Sequence, residues 1–181
     1  MSRVKLIQVG EASGKAGEVF ADIQQGFGMV PNLFKAYAHR PEIMAANWSK
    51  VKAVMLTGEL PRTLKEMIAV VVSKANGCQY CVAAHSAALR MLGESEEQCN
   101  LLVDGFEAAD LPEDTKVVLR LAVKSTRQPQ AMTDNEFEEL RKLGYSESQI
   151  IEMLSVVDLF TSFNRFLDTL RIPLDFPTSR E

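Results

Sequence analysis

Residues 78–85, Cys-Gln-Tyr-Cys-Val-Ala-Ala-His, combine two thiols and an imidazole at helical spacing. On a helix Cys78, Cys81 and His85 would share one face. The turn residues Asn76-Gly77 precede them and place Cys78 near a helix N-terminus, where free amides and the helix dipole favour a thiolate. His85 lies one turn beyond Cys81 and can reach it directly or through water. Because a thiolate attacks peroxides and disulfides, the segment predicts redox chemistry.

The close spacing of the two cysteines also suggests how such a reaction would finish. Attack on a peroxide leaves a sulfenic acid, which a neighbouring thiol condenses to a disulfide, so that an external reductant is needed to complete the cycle. The chain has three cysteines, too few for a disulfide scaffold. In a reducing compartment a close Cys-x-x-Cys pair is usually catalytic, redox-active or metal-binding.

A second, degenerate copy of the surrounding segment lacks these reactive residues. Residues 89–98 align without gaps on residues 140–149, which lie 51 positions downstream, and apolar positions persist at the same offset upstream. We therefore predict a repeated helical unit. Four polar positions of the first copy are replaced at this offset: Cys78 by Pro129, Cys81 by Met132, His85 by Glu136 and Glu66 by Val117. Since both copies should pack alike, packing alone does not explain the four residues, and Glu66 joins the candidates.

The elements that would position these residues are helices. Apolar periodicity predicts an all-α, single-domain bundle, with a short extended start at Val4, Leu6 and Val9 as the one possible exception. The predicted helices cover residues 14–28, a short turn through 33–37, a helix from Pro41 to Gly58, a helix from near Thr63 to Asn76, residues 78–92, a helix with Pro112 in its first turn that ends near Arg127, and residues 149–170. Capping-box spacing joins Ser95 to Gln98, Thr133 to Glu136 and Ser146 to Gln149.

Length and composition limit the remaining possibilities. The 181 residues, 46% of them hydrophobic, suit one domain. We expect a helical N-terminal extension of about residues 1–60 and a motif-bearing core of about residues 61–176. No apolar run reaches the length of a membrane span, and the first residues lead into no signal-peptide core, so we expect a cytoplasmic protein. The net charge of −4 without a basic cluster argues against nucleic acid as a partner.

Each candidate residue also has a plainer interpretation. Glu66 stands three residues after Thr63, which is capping-box spacing, so it could cap a helix start. His85 could be an ordinary core histidine. Tyr80 is explained well as a core or interface aromatic, and Cys99, far from any second thiol, as a packing residue.

Other functions for the Cys-x-x-Cys pair are also open. Structural zinc would need a fourth ligand, which Glu66 could supply only by folding back from the preceding helix. A thiol switch without turnover, or a general disulfide oxidoreductase, would need the cysteines but not His85. Decarboxylation of a lactone acid would give the paired thiols no use. We therefore expect an enzyme that uses neither a metal nor a cofactor.

The residues that carry this chemistry also carry a family resemblance. The run from Pro61 to Val72, followed by Asn76-Gly77-Cys78, Tyr80-Cys81 and His85, resembles the alkylhydroperoxidase D family of the carboxymuconolactone decarboxylase superfamily, in particular its peroxidase-related branch. The resemblance is specific over residues 61–93. It implies an all-α fold that forms trimers or hexamers, and reduction of organic hydroperoxides with electrons from a lipoyl-bearing or thioredoxin-like partner.

The resemblance also implies a role for each site residue. By position, Cys81 would attack the peroxide and become sulfenic acid, Cys78 would be the proton donor and resolving thiol, and Glu66 with His85 would relay protons. Tyr80 stands where well-characterised members have a histidine. A phenol is a poor base near neutral pH, so the relay has one member fewer here, and Tyr80 is expected only to support the site.

Overall fold

The fold is known from a computed structural model that describes residues 1–175, and these residues form nine α-helices and no β-strand. The helices are α1 (Gly14–Phe27), α2 (Asn32–Tyr37), α3 (Pro41–Val51), α4 (Arg62–Asn76), α5 (Gln79–Met91), α6 (Glu96–Gly105), α7 (Glu113–Arg127), α8 (Asp134–Lys142) and α9 (Glu147–Leu170). The all-α prediction is confirmed. The possible extended start is not a strand, since Val9–Glu11 forms a 3-10 turn. The predicted core limit at residue 176 lies outside the described residues.

Helix α4 is the centre of the bundle. Every residue from Leu64 to Ser73 is buried, because α4 packs against α5, α7 and α9 on different sides. A helix that is covered all round needs an apolar sequence with few exceptions, as in the run Met67 to Val72. The polar residues that α4 does bury, Lys65, Glu66 and Ser73, must therefore find partners inside the protein.

The predicted internal repeat is present in the helix boundaries. Helices α4 and α7 begin and end 51 positions apart, α5 and α8 end 51 positions apart, and so do the starts of α6 and α9. Leu89 and Leu140, which correspond, are both fully buried. Gly93 and Gly144 both adopt a left-handed conformation, with φ of 101° and 93°. The two copies thus share a backbone plan, and only the first carries the reactive residues.

Several helix ends differ from the sequence predictions. Pro61 is the N-cap of α4, so the helix begins at Arg62, one residue before Thr63, near which its start was predicted. The helix that follows Pro41 ends at Val51 and continues as a π-helical turn, Lys52–Leu56. Pro112 occupies the N-cap of α7 rather than its first turn, and α9 begins at Glu147, two residues earlier than predicted. At Pro61 and Pro112 the proline favours extended backbone in the residue before it without fixing which neighbour becomes the first helical residue.

Side-chain capping agrees more closely with the sequence. The Ser146 and Gln149 pair exchanges two hydrogen bonds between side chain and backbone, as a capping box requires. Glu136 accepts a hydrogen bond from the backbone N–H of Thr133. Ser95 accepts from the N–H of Gln98. These motifs act over three residues, which is why local sequence was sufficient to find them.

The N-terminal helices close the bundle over one end of α9. The rings of Phe27 and Phe34 meet Trp48 edge to face at centroid distances of 4.9 and 5.7 Å, and Phe34 also meets Phe163 of α9 at 6.4 Å. Trp48 donates a hydrogen bond to Asp22. This aromatic cluster forms one wall of the cavity described below. Within residues 1–175, no helix has both the length and the apolar character needed to cross a membrane.

Candidate active site

The two cysteines lie at the junction of α4 and α5. Gly77 turns the chain with a φ of 80°, a left-handed conformation that favours glycine, and Cys78 is the N-cap of α5. The N–H of Cys78 donates to the carbonyl of Ser73 at 2.9 Å. Cys81 follows in the first turn of α5. Both thiols are free, with exposed fractions of 0% for Cys78 and 2% for Cys81. The prediction that Cys78 lies at a helix N-terminus is confirmed.

The hydrogen bond between the two thiols shifts their pKa values in opposite directions. A hydrogen bond donated by the Cys81 thiol, supported by the backbone N–H of Cys81, lowers the pKa of Cys78 although burial opposes the shift. The same hydrogen bond, together with burial, raises the pKa of Cys81 well above its ordinary value. A single negative charge on the pair is therefore held first on Cys78, and moving it to Cys81 requires only a proton shift between neighbouring sulfurs.

Glu66 and His85 form a buried pair on adjacent helices. Nδ1 of His85 lies 2.5 Å from Oε2 of Glu66, and Arg62 contacts Oε1 of the same carboxylate at 2.6 Å. Burial alone would raise the pKa of Glu66, but the charges and hydrogen bonds of His85 and Arg62 lower it below its ordinary value. Because an ionised carboxylate only accepts, Nδ1 of His85 must be the donor. The helix-capping role considered for Glu66 is wrong, since α4 begins before Thr63 and the side chain points to His85.

The arrangement leaves the second imidazole nitrogen of His85 available. The ring packs edge to face on Phe160 of α9 at a centroid distance of 4.3 Å, and the side chain is 19% exposed. Ring orientation is thus fixed from two sides, by Glu66 at Nδ1 and by Phe160 at the ring. A neutral imidazole held in this way carries its proton on Nδ1 and presents Nε2 as a base.

A cavity of about 900 Å³ brings most of these residues to a common space. Cys81, His85, Glu66, Arg62 and Tyr80 all contribute to its lining. Cys78 does not line it. A ligand in the cavity can therefore reach Cys81 but not Cys78, although the two sulfurs are neighbours.

A polar network behind the cysteines was not found from the sequence. The side-chain amide of Asn164, on α9, donates to the hydroxyl of Ser73 at 3.0 Å and accepts from the amide of Asn76 at 2.9 Å. Both Asn164 and Ser73 also hydrogen-bond the Cys81 sulfur, which opposes the rise of its pKa. The available signal was an asparagine, Asn164, on the buried side of α9 that also carries Phe163 and Leu167.

Tyr80 and Cys99 have the packing roles that their surroundings suggest. Tyr80 is 6% exposed, and burial together with a hydrogen bond to Asp175 raises its pKa, so the phenol stays neutral and cannot act as a base. Its oxygen faces the N–H of Leu33 at 3.5 Å. Cys99 is buried on α6 and its thiol lies 3.8 Å from the carbonyl of Ser86, remote from the other two cysteines. In the described part of the chain no cluster of three His, Cys, Asp or Glu side chains forms a metal site.

The chain is similar to known proteins in sequence and in fold. Residues 41–113 match the carboxymuconolactone decarboxylase family. An alkyl hydroperoxide reductase of Mycobacterium tuberculosis is 29% identical over 101 residues, which are 56% of this chain but only 29% of that protein, so the chain spans less than a third of this relative.

Two crystal structures resemble the whole fold. An uncharacterized peroxidase-related protein with an alkylhydroperoxidase core, from Ralstonia eutropha JMP134, superposes with a TM-score of 0.88 at 28% identity over 96% of this chain and 92% of that one. An uncharacterized peroxidase-related protein from Silicibacter sp. TM1040 gives 0.87 at 31% identity over 95% and 91%. With the Cys-x-x-Cys pair at the start of α5 and the repeated helical unit, these likenesses show that the chain belongs to the alkylhydroperoxidase D-like family of the carboxymuconolactone decarboxylase superfamily.

Proposed function

We propose that the protein is a thiol peroxidase that reduces organic hydroperoxides through Cys81 and Cys78. The observation that carries this proposal is the position of Cys81: it lines an apolar cavity together with an imidazole that a buried carboxylate orients, and it has a second thiol beside it. A substrate that enters the cavity therefore meets a nucleophile and a base in one place, and the resolving thiol lies beside the nucleophile, outside the cavity lining.

Access assigns the two sulfur roles. Cys81 lines the cavity and attacks, whereas the fully buried Cys78 resolves. The Cys81 proton first moves to Cys78 or to His85. The Cys81 thiolate then attacks the terminal peroxide oxygen, the O–O bond breaks, and the alkoxide takes up a proton to leave as an alcohol. Attack of the Cys78 thiolate on the Cys81 sulfenic acid forms the disulfide and releases water after protonation.

His85 and Glu66 serve the proton transfers in this scheme. Glu66 accepts a hydrogen bond from the Nδ1–H group of His85. Nε2 is therefore free to accept the thiol proton and later to return it to the leaving oxygen. Glu66 stabilises the imidazolium that forms in between. Arg62 contributes by keeping Glu66 ionised.

Completion of the cycle requires two electrons and two protons from outside. The family resemblance points to a lipoyl-bearing or thioredoxin-like dithiol as the reductant, and it points equally to a homo-oligomer, a trimer or hexamer. Size-exclusion chromatography with light scattering measures the subunit count directly. A monomeric mass would contradict the predicted assembly and leave the reaction proposal intact.

The reaction is tested by following consumption of cumene hydroperoxide with dihydrolipoamide or reduced thioredoxin as donor. We expect turnover by the wild type and none above the uncatalysed rate for Cys81→Ser. Cys78→Ser should trap a sulfenic acid on Cys81, detectable by dimedone labelling and mass spectrometry. Wild-type consumption no faster than that of Cys81→Ser would remove the peroxidase assignment.

A second experiment separates catalysis from a thiol switch without turnover, which needs the cysteines but not the imidazole. Under the proposed function His85→Gln slows peroxide-driven disulfide formation about 10²–10⁴-fold, the usual contribution of a general base. The matched control is His39→Gln, because His39 is the chain's other histidine and contacts the carbonyl of Lys5 at the surface. Equal oxidation rates in the two variants would favour the switch.

A further inference from the structure

The cavity follows the length of α5 away from the reactive sulfur. Cys81, near the start of α5, lines it, and so do Arg90 and Leu92 at the end of the helix. Between them the lining side of α5 carries Ala84, Ala87 and Ala88, and these small side chains leave the space open. Arg90 lies nine positions beyond Cys81, which corresponds to about 14 Å along the helix axis. The space is therefore long as well as large.

The wall opposite α5 is apolar. It is built by Phe27 and Phe34 of the N-terminal helices, by Met55 of the π-helical turn, and by Phe160 and Phe163 of α9. An aromatic and thioether wall facing alanines suits an aliphatic chain, because such a ligand gains from removal of apolar surface on both sides and needs no polar partner along its length.

The charged residues of the lining differ in whether they are paired. Arg62 and His85 are both held by Glu66. Within the described residues the side chain of Arg90 has no ion pair and no hydrogen bond, and its charge acts on the Cys99 thiol of α6 only at a distance. A basic residue in the last turn of a helix is favoured by the helix dipole alone. Arg90 differs from such a residue because it also lines an apolar cavity in which the other charges balance.

From this combination we infer that the site takes long-chain hydroperoxides with a carboxylate at one end, such as hydroperoxy fatty acids, and that Arg90 binds the carboxylate while the hydroperoxide meets Cys81. The inference rests on the proposed function for its reactive end. Its binding end rests on Arg90 and on the shape of the cavity, since a planar guanidinium binds a carboxylate through two parallel hydrogen bonds. Neutral hydroperoxides of similar size would bind with the apolar contacts alone.

Binding is measured first, without any reaction. Isothermal titration of Cys81→Ser protein with dodecanoate and with dodecanol compares an anionic ligand with a neutral one of the same length. We expect dodecanoate to bind about tenfold more tightly. Adding Arg90→Gln should abolish this difference and leave the affinity for dodecanol unchanged. The internal repeat supplies the control: Arg141 corresponds to Arg90 but pairs with Glu138 and Glu147 on the surface, so Arg141→Gln should retain the preference.

A second variant tests where the chain of the ligand lies. Ala88→Leu places a larger side chain in the cavity between Cys81 and Arg90 and should weaken both ligands at least about tenfold, because it fills the space that they share. Equal affinity of the Cys81→Ser protein for dodecanoate and dodecanol, or an unaltered preference in Arg90→Gln, would overturn the assignment of Arg90. Unchanged binding in Ala88→Leu would overturn the placement along α5.

The kinetic arm keeps the failure of this inference distinct from failure of the proposed function. With a fatty acid hydroperoxide, Arg90→Gln should raise KM about tenfold at nearly constant kcat, whereas KM for the methyl ester and for cumene hydroperoxide should not change. Turnover of cumene hydroperoxide, together with an unchanged KM of Arg90→Gln for the fatty acid hydroperoxide, would reject the carboxylate site and retain the peroxidase. Preferential dodecanoate binding without peroxide turnover would retain the carboxylate site and reject the peroxidase.

Discussion

Replacement of Glu66 by glutamine tests the proposed proton relay with almost no change of shape. The carboxylate is fully buried and accepts from Arg62 on Oε1 and from His85 on Oε2. Glutamine keeps one acceptor oxygen and gains an NH₂ group. Since Arg62 offers only donors, the glutamine oxygen must remain with Arg62, and the NH₂ group then faces Nδ1 of His85. The imidazole has to move its proton to Nε2 to accept there, and Nε2 is lost as a base.

The magnitudes follow from these contacts. Loss of a correctly oriented general base should lower kcat/KM for cumene hydroperoxide by about 10²–10³, part of the range that such bases contribute. Loss of one hydrogen bond to a charged group should lower the free energy of unfolding by about 1.5–3 kcal/mol. Water partly compensates Arg62 for the lost negative charge, because its side chain is one-third exposed. Expressed as a free energy, this loss of activity is about 3–4 kcal/mol, somewhat more than the expected loss of stability.

The stability difference between wild type and Glu66→Gln should also depend on pH. Burial raises the pKa of Glu66, but His85 and Arg62 lower it by more, so that in the folded protein it lies below its unfolded value. The stabilisation from Glu66 is fully present above that unfolded value and is lost as the pH falls through the folded one. Urea denaturation should therefore show a constant difference between pH 6 and 8, and a smaller one below about pH 4.

The matched control for Glu66→Gln is Glu136→Gln. Glu136 occupies the position in the second repeat that corresponds to His85, and it pairs with Lys124 near the surface, so the same chemical change there should leave peroxide turnover intact. A ¹⁵N spectrum of the His85 ring shows directly which nitrogen carries the proton. Full activity in Glu66→Gln, or an Nδ1–H tautomer in that variant, would refute the relay.

Three further predictions concern the surroundings of the site. Asn164→Leu removes a hydrogen bond to the Cys81 sulfur, so the pKa of that thiol should rise further and the pH profile of its alkylation by iodoacetamide should move to higher pH. Leu89→Ala and Leu140→Ala each empty a fully buried position and should each lower the free energy of unfolding by about 2–5 kcal/mol in urea titrations. Gly58→Ala should lower the melting temperature, because φ is 102° and an added Cβ would overlap the Glu152 carboxylate.

Each of these predictions has a result that contradicts it. An unchanged alkylation profile in Asn164→Leu would show that the network does not reach the thiol. Loss of less than about 1 kcal/mol at Leu89 or Leu140 would mean that the bundle collapses onto the vacated space. A melting temperature for Gly58→Ala equal to that of the wild type would show that the segment before Pro61 rearranges freely.

Features encoded over a few residues could be predicted from the sequence. The left-handed turn at Gly77, the capping of α8 and α9, and the stripe of Cys78, Cys81 and His85 all depend on neighbours within one or two helical turns. The internal repeat was equally visible, since its two halves align without a gap. Here backbone preference and tertiary packing favour the same structure.

Features that join distant segments could not be predicted in this way. Asn164 meets Ser73 across 91 positions, and nothing local indicates that this asparagine faces a thiol. The partner of Glu66 was ambiguous because the spacing to Thr63 also suited a cap, and only the start of α4 at Arg62 decides between them. The accessibility of the two thiols could not be predicted either. The two cysteines look alike in sequence, yet only Cys81 lines the cavity.

The burial of Cys78 determines which sulfur of the oxidised enzyme a reductant can attack. With Cys78 closed off from the cavity, an incoming dithiol can reach a Cys78–Cys81 disulfide only at the Cys81 sulfur, and Cys78 departs as the leaving group. Its lowered pKa makes it a good one. Oxidant and donor must then occupy the same channel in alternation, which predicts ping-pong kinetics and inhibition of both half-reactions by a single inert occupant.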